Sequence, residues 1–222
     1  MKNYGFFHSR TQGGFSLIEM LFVIVVIAFL LGITTMQMRS PASATSVKGA
    51  VDTSANLVAL ASQVARSQQA ASRLVINVDP SSDGYLIQAA VFKNVSPDPF
   101  NPGNQWQMVG QAKRLGQNAY FDIQRSRGHE PMSVSFKTDA IQYGNTGSSA
   151  VYYAFDKNGQ FQPGSTGAGT DGSRIIFTAG ILSQSGNTYS LTVPDSMKTM
   201  IDGVYLRRYG GTSRYDSPNQ IP

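Results

Sequence analysis

The feature that most constrains this chain is an apolar run from Phe15 to Ile33, interrupted only by Ser16 and Glu19. A helix of that length extends about 28 Å, close to the ~30 Å hydrocarbon core of a bilayer. The short polar segment before the run carries Lys2 and Arg10. Positive charge favours the cytoplasmic side of a membrane. We therefore expect a single membrane span with a cytoplasmic N-terminus and a C-terminal domain outside the cytoplasm.

Glu19 is the anomaly in this run. A carboxylate at the centre of a bilayer costs roughly 2.5–3.5 kcal/mol on insertion scales, and no Lys or Arg lies within one helical turn on the same face. If the chain is cut after Gly14, Phe15 exposes an α-amine four residues before Glu19. That amine could pair with Glu19 of a neighbouring molecule whose helix is displaced along the axis, and pairing would offset the desolvation of both groups.

The residues from Gly13 to Leu21 resemble the class III signal of type IV prepilins and type II secretion pseudopilins. In that family, prepilin peptidase cleaves after the glycine and methylates the new N-terminal Phe. The resemblance implies that Gly14 precedes the cut, that Phe15 becomes the methylated terminus, and that Glu19 is the assembly glutamate. It also implies a bacterial inner-membrane protein whose partners are prepilin peptidase, other pilins or pseudopilins, the inner-membrane assembly platform and membrane lipid.

Two other interpretations of the N-terminus stay open. An ordinary signal peptide could be cut after Ala42-Ser43-Ala44, an A-x-A pattern, but this leaves Glu19 unexplained. A plain signal anchor fits the charge and the length of the run, but it does not explain Gly14, Phe15 and Glu19.

A second helical segment follows the apolar run. Pro41 predicts a break, and helical periodicity resumes from about Thr45 to Ser72. Its apolar face is rich in Ala and Val, which suits packing against a sheet; its members are Val47, Val51, Leu57, Val58, Ala61, Val64 and Ala65. The helix-to-strand passage at residues 65–78 resembles minor pseudopilins of the type II secretion protein H group and FimT-like pilins, with Gln69 as a departure from their pattern.

After Arg73 the hydrophobic period changes to that of strands. The predicted strands are Leu74–Val78, Tyr85–Lys93, Trp106–Gly110, Ala119–Gln124, Ser133–Lys137, Val151–Asp156, Arg174–Ala179, Tyr189–Val193 and Gly203–Tyr209. Segments 94–105, 143–149 and 163–173 are predicted loops. Residues 106–115, 153–159 and 191–193 also resemble pilin-like Verru_Chthon cassette D proteins.

These patterns predict a pilin-like α+β fold, with a long N-terminal helix packed on an antiparallel sheet. The predicted divisions are a cleaved leader (1–14), a transmembrane and filament-core helix (15–39), an amphipathic helix half (40–73), a globular antiparallel β-sheet domain (74–210) and a C-terminal tail (211–222).

The composition excludes several chemistries. The chain has no cysteine and two histidines, which rules out thiolate zinc sites, iron–sulfur clusters and a cysteine nucleophile. Asp156 to Gly159 resembles the start of a calcium loop, but the spacing does not continue, and Asn158-Gly159 favours a hairpin turn. His129 is expected at the surface. We expect no enzymatic activity, no cofactor and no metal site.

The net charge is +5, and basic residues are spread along the chain. The best basic and aromatic set is Arg207, Arg208 and Arg214 with their neighbouring tyrosines, a candidate DNA contact. A solvated final strand and tail is the favoured explanation of this set. Nucleic acid is therefore not the expected partner.

The expected function is that of a prepilin-like structural subunit, a minor pseudopilin assembled into a pseudopilus. The alternatives are a minor type IV pilin for adhesion or DNA uptake, and a signal-anchored periplasmic binding domain.

Overall fold

The computed structural model describes residues 16–37, 39–95, 106–134, 148–164 and 172–215. The chain divides into two units, residues 1–39 and 40–222. In the first unit, helix α1 covers Leu17–Gln37. Its large apolar side chains from Leu17 to Ile27 point outward on every side, and Leu17 itself is 86% exposed. Within the ranges described, the search for a helix long and apolar enough to cross a membrane found none.

The second helix, α2, covers Arg39–Gln68. Pro41 lies in its first turn, where a missing backbone N–H costs nothing because that group has no partner within the helix. The helix therefore begins earlier than the predicted restart near Thr45. Its predicted apolar face is confirmed, since the seven Ala, Val and Leu residues of that face are buried.

The end of α2 is set by Gln69, which adopts a left-handed conformation with φ of 50°. The backbone N–H of Ala70 then donates to the carbonyl of Ala65 at 3.2 Å, the 6→1 bond of a Schellman cap. Gln69 also donates from Nε2 to the carbonyl of Arg66 at 2.9 Å. The helix thus stops four residues before the predicted limit at Ser72, where the first strand begins.

Twelve strands lie within the described residues. They are β1 (Ser72–Asn77), β2 (Gln88–Asn94), β3 (Trp106–Arg114), β4 (Ala119–Phe121), β5 (Glu130–Val134), β6 (Ser148–Phe155), β7 (Phe161–Gln162), β8 (Ser173–Ala179), β9 (Ile181–Ser185), β10 (Thr188–Thr192), β11 (Ile201–Leu206) and β12 (Thr212–Arg214). A 3-10 turn covers Asp195–Met197.

The strands form two sheets and a separate hairpin. The larger sheet has the order β3-β2-β1-β6-β5, with β7 paired to β6, and the smaller has the order β12-β11-β8-β4. Strands β9 and β10 pair only with each other among the described strands. Every strand pairing is antiparallel. The α+β class with antiparallel sheets is confirmed, whereas the long N-terminal helix of two halves remains a prediction.

The core lies between α2 and the inner faces of both sheets. Alternate residues of a strand point to opposite faces, so Leu74 and Ile76 of β1 join the helix-facing cluster while Val75 joins a second cluster on the other face. In the smaller sheet, Ile175 and Phe177 of β8 reach the same helix-facing core. Both sheets therefore bury one face against a single helix.

Several strand predictions differ from the structure. The pattern missed β7, β9 and β12, which are short or rich in Ser, Thr and Gln, and strand periodicity is weak over so few apolar residues. Strand β5 lies three residues before the predicted start at Ser133. Most of the loops predicted at 94–105, 143–149 and 163–173 lie outside the described residues.

The prediction that His129 lies at the surface is wrong. Its side chain is 7% exposed, and its ring packs edge-on against Phe121 and Tyr153 at centroid distances of 6.2 and 5.9 Å. Burial lowers the pKa of His129 below its ordinary value, because a nonpolar surrounding disfavours the charged form. The polar sequence around this residue gave no sign of the aromatic neighbours.

Candidate assembly site

The predicted processing residues, Gly14 and Phe15, lie outside the described residues. Ser16 is the first described residue, and it directly precedes α1. Its carbonyl accepts from the backbone N–H of Glu19 at 3.0 Å and of Met20 at 3.2 Å. The first helical turn is therefore already formed immediately after the predicted cleavage position.

Glu19 lies in this first turn with an exposed side chain. Its carboxylate is near the helix N-terminus, where the aligned peptide dipoles favour negative charge. Ser16 at the N-cap position and Glu19 three residues later also match the spacing of a capping box, a second use for Glu19 that the initial interpretation missed. The signal was present in the sequence as S-x-x-E. Glu19 thus occupies a capping-box position at the helix start and has an exposed side chain.

Residues 9–35 match the family model described as "Prokaryotic N-terminal methylation motif". The chain carries a pilin-type methylation signal. The matched segment includes Gly14, Phe15 and Glu19, and it indicates a pilin-type subunit that prepilin peptidase processes at the inner membrane, where the protein is anchored. The signal implies assembly with other pilins. No curated protein and no solved structure matches this chain.

The globular domain holds a tight turn against α2. The predicted hairpin turn at Asp156–Gly159 is confirmed: the backbone N–H of Gly159 donates to the carbonyl of Asp156 at 2.8 Å, and Gly159 has a φ of 71°. The Ser62 hydroxyl donates to the Gly159 carbonyl at 2.8 Å. This bond fixes the β6–β7 hairpin on the helix.

The candidate DNA-contact residues fall into two environments. Arg214 donates to Asp202 at 2.6 Å and to Asp52 at 3.2 Å, and the hydrogen bond to Asp202 raises its pKa above the usual value. Arg207 and Arg208 lie exposed where β11 ends, and Arg208 also lines a cavity of about 430 Å³. Arg214 is therefore largely neutralised by carboxylates, and the DNA contact stays a prediction.

An arginine between two aromatic rings lies on the other face of the larger sheet. The Arg73 guanidinium lies 4.0 Å from the ring centroids of both Trp106 and Tyr152, a cation–π arrangement. The Tyr152 hydroxyl donates to the Glu130 carboxylate, and burial together with that bond raises the pKa of Tyr152. These residues come from four strands, so no local motif predicts their contact.

A second arginine, Arg174, is only 3% exposed. Its Nε donates to the Arg125 carbonyl at 2.8 Å, while its own carbonyl accepts from the Tyr153 hydroxyl at 3.1 Å. Burial raises the pKa of Tyr153 well above the usual range, so this hydroxyl keeps its proton. Within the described ranges, no cluster of three or more His, Asp or Glu side chains could hold a metal ion.

Proposed function

We propose that this chain is a minor pseudopilin, a structural subunit of a type II secretion-like system. One helix holds it in the inner membrane with its N-terminus in the cytoplasm. Prepilin peptidase cuts after Gly14, and the mature subunit enters a pseudopilus. The observation that supports a processed pilin-type subunit is the methylation motif at residues 9–35, which includes Gly14, Phe15 and Glu19.

Two further observations support an assembly role rather than catalysis. The apolar surface of α1 on all sides suits lipid or partner helices and not water. The order of a long amphipathic helix followed by antiparallel strands suits a pilin-type subunit. The secretion assignment rests on the resemblance of residues 65–78 to minor pseudopilins.

In the proposed assembly step, the Phe15 amine of one subunit pairs with Glu19 of its neighbour. No bond is made or broken, because the pairing is electrostatic and replaces the solvation that both charges lose in a nonpolar filament core. Extraction from lipid is costly, so an assembly ATPase must supply the work.

The first test is N-terminal sequencing and intact mass of the protein from its native membrane. A start at methylated Phe15 is expected. A start at Thr45 would indicate an ordinary secreted domain. An intact Met1, in a host whose prepilin peptidase is active, would indicate a signal-anchored binding domain.

A second test separates secretion from pilus functions. Deleting the chain should leave secretion substrates in the periplasm without loss of surface pili. The exposed Arg207 and Arg208 favour DNA uptake by a minor type IV pilin as the second candidate. Gel shifts of DNA with the full chain in detergent, repeated over a salt series, test it, because phosphate contacts weaken steeply with salt.

A further inference from the structure

Two glycine-containing turns meet at the C-terminal part of α2. One is the β6–β7 turn, bound through the Gly159 carbonyl to Ser62. The other joins β11 to β12, and a Cβ on its Gly210 would overlap both the Ser62 hydroxyl and the Gly159 carbonyl. The close approach of the three segments requires a small residue at each position.

This convergence places four basic residues, from three distant parts of the sequence, on adjacent segments of the chain. Arg66 donates to the Ser62 hydroxyl at 2.9 Å, Lys157 lies two residues before Gly159, and the backbone carbonyl of Arg208 accepts from Phe161 at 2.8 Å. With the neighbouring Arg207, these side chains are all exposed. We call Arg66, Lys157, Arg207 and Arg208 the basic end of the domain.

The carboxylate in these turns, Asp156, forms no ion pair with the basic end. Asp156 accepts through Oδ1 from the backbone N–H groups of Asn158 and Gln160 at 2.9 and 2.8 Å, and through Oδ2 from Gln162 at 3.3 Å. It is engaged inside its own hairpin. Among the described residues, none of the four cations of the basic end forms an ion pair.

Arg214 differs from the four residues of the basic end because it forms ion pairs and they do not. Asp202 and Asp52 hold that arginine on the same domain, so the fold can pair an arginine where pairing is needed. Clustered like charges repel, and they raise the local concentration of anionic partners. Tyr209 follows the two arginines and is 78% exposed, and arginine with tyrosine is typical of binding hot spots.

We propose that the basic end binds an acidic face of a different pilin-type subunit. This inference rests on the proposed function, which supplies such neighbours. A second copy of this chain is a poor partner because each copy keeps a net charge of +3 after cleavage removes Lys2 and Arg10 from the total of +5, and because both copies carry the same basic end. Nucleic acid, which the second candidate function would require, is the competing occupant. A single strand needs several stacking platforms, whereas Tyr209 is the exposed aromatic side chain at this end of the described structure.

The test is photo-cross-linking of the full chain in its native host. The substitution Tyr209→p-benzoylphenylalanine places the probe beside Arg207 and Arg208, and Ile181→p-benzoylphenylalanine, at a 54% exposed site in β9, is the positional control. The expected product joins Tyr209 to an Asp- or Glu-containing peptide of another protein with an N-terminal methylation motif. Ile181 should not give this product.

Charge reversal tests whether electrostatics hold the contact. The double variant Arg207→Glu with Arg208→Glu should reduce the Tyr209 product about tenfold or more, because like charges across an interface repel. The matched control, Lys113→Glu with Arg114→Glu, changes the net charge equally on exposed residues of β3 and should leave the product unchanged. Lys157→Glu is an independent single variant for the case in which the double variant does not fold.

The other outcomes overturn the proposal. They are a cross-link to nucleic acid, a cross-link to a second copy of this chain, no cross-link at Tyr209, or equal loss of the product in the matched control. The mature N-terminus is measured on the same samples. A chain that starts at Phe15 but fails to cross-link refutes only the basic-end contact, whereas a chain that is never processed refutes the proposed function.

Discussion

The two helices of this chain differ in whether their apolar side chains are buried by the rest of the chain. In α1, the large apolar side chains point outward on all sides from Leu17 to Ile27. In α2, Ala, Val and Leu occupy one face and are buried by the chain's own sheets, while Lys48, Asp52 and Gln63 on the other face are exposed. The apolar side chains of α1 can be covered by other molecules, such as lipid or partner helices. Those of α2 are covered by the sheets of the same domain. The two helices of one chain therefore have different requirements: the apolar side chains of α1 stay exposed, and those of α2 are buried by the domain.

The largest expected effect is a loss of assembly, without a loss of membrane insertion, when Glu19 is replaced. Replacing Glu19 with Ala should leave membrane insertion intact and reduce incorporation into filaments by more than tenfold, because an unpaired α-amine in a nonpolar core costs several kcal/mol. The ratio of variant in sheared filaments to variant in membranes measures this. Glu19→Asp, which keeps the charge, is the control, and normal incorporation of the alanine variant would refute the pairing.

The second effect concerns folding alone. Gly159→Ala places a Cβ 2.6 Å from the Ser62 carbonyl at a φ of +71°, so we expect a loss of about 2–4 kcal/mol in the free energy of unfolding from backbone strain and overlap together. Denaturant unfolding of the full chain in detergent measures it. Gly186→Ala is the control, since it has a φ of +60° with open space around it and should lose only about 1 kcal/mol.

Processing of the Gly159→Ala variant should be unaffected, because the signal lies in a different unit of the chain. If the same variant loses both stability and cleavage after Gly14, the two regions are not independent, and the contrast between the helices fails.

The third effect is a pH dependence of the globular domain. The folded-state pKa of His129 is lowered by burial, so the unfolded chain binds more protons between that pKa and the ordinary value of about 6.5. Stability should be fully present above pH ~6.5 and should fall as the pH drops through the folded-state pKa. Unfolding midpoints of the wild type and His129→Phe across this range test it. An equally steep decline in both proteins would assign the pH dependence to other groups.

The smallest effect is a gain at the end of α2. Gln69 has a φ of +50°, a conformation that costs a non-glycine residue about 1–2 kcal/mol. Gln69→Gly should relieve that strain, and after the loss of the side-chain bond to Arg66 a net gain of about 0.5–1 kcal/mol remains. Gln63→Gly, at an exposed position in the interior of α2, should instead lose about 1 kcal/mol. A loss at both positions would show that Gln69 acts mainly through its side-chain bond.

Local pattern predicted a good part of the fold. The buried face of α2 followed from its period, and β8 and β10 followed from runs of β-branched and aromatic residues. The turn at Asn158-Gly159 followed from its need for positive φ. Strands β7 and β12 could not be found this way, because two or three residues carry no period, and their strand character comes from pairing with β6 and β11.

The candidate site divides in the same manner. Gly14, Phe15 and Glu19 are read from a linear signal, because a peptidase acts on consecutive residues. Whether a basic residue forms an ion pair depends on residues that are distant in the sequence. Arg214 is neutralised by Asp52, which is 162 residues away in the chain, and nothing near Arg214 in sequence distinguishes it from Arg207.

The amino-acid sequence by itself determined the pilin-type signal, the apolar and amphipathic helices and the α+β class, because each depends on residues within a few positions of one another. The tertiary structure decided which charges are paired, that His129 is buried, and that Ser62 meets Gly159 across 97 residues of chain. Those outcomes depend on which strands pair and which faces are covered, and only long-range packing settles that.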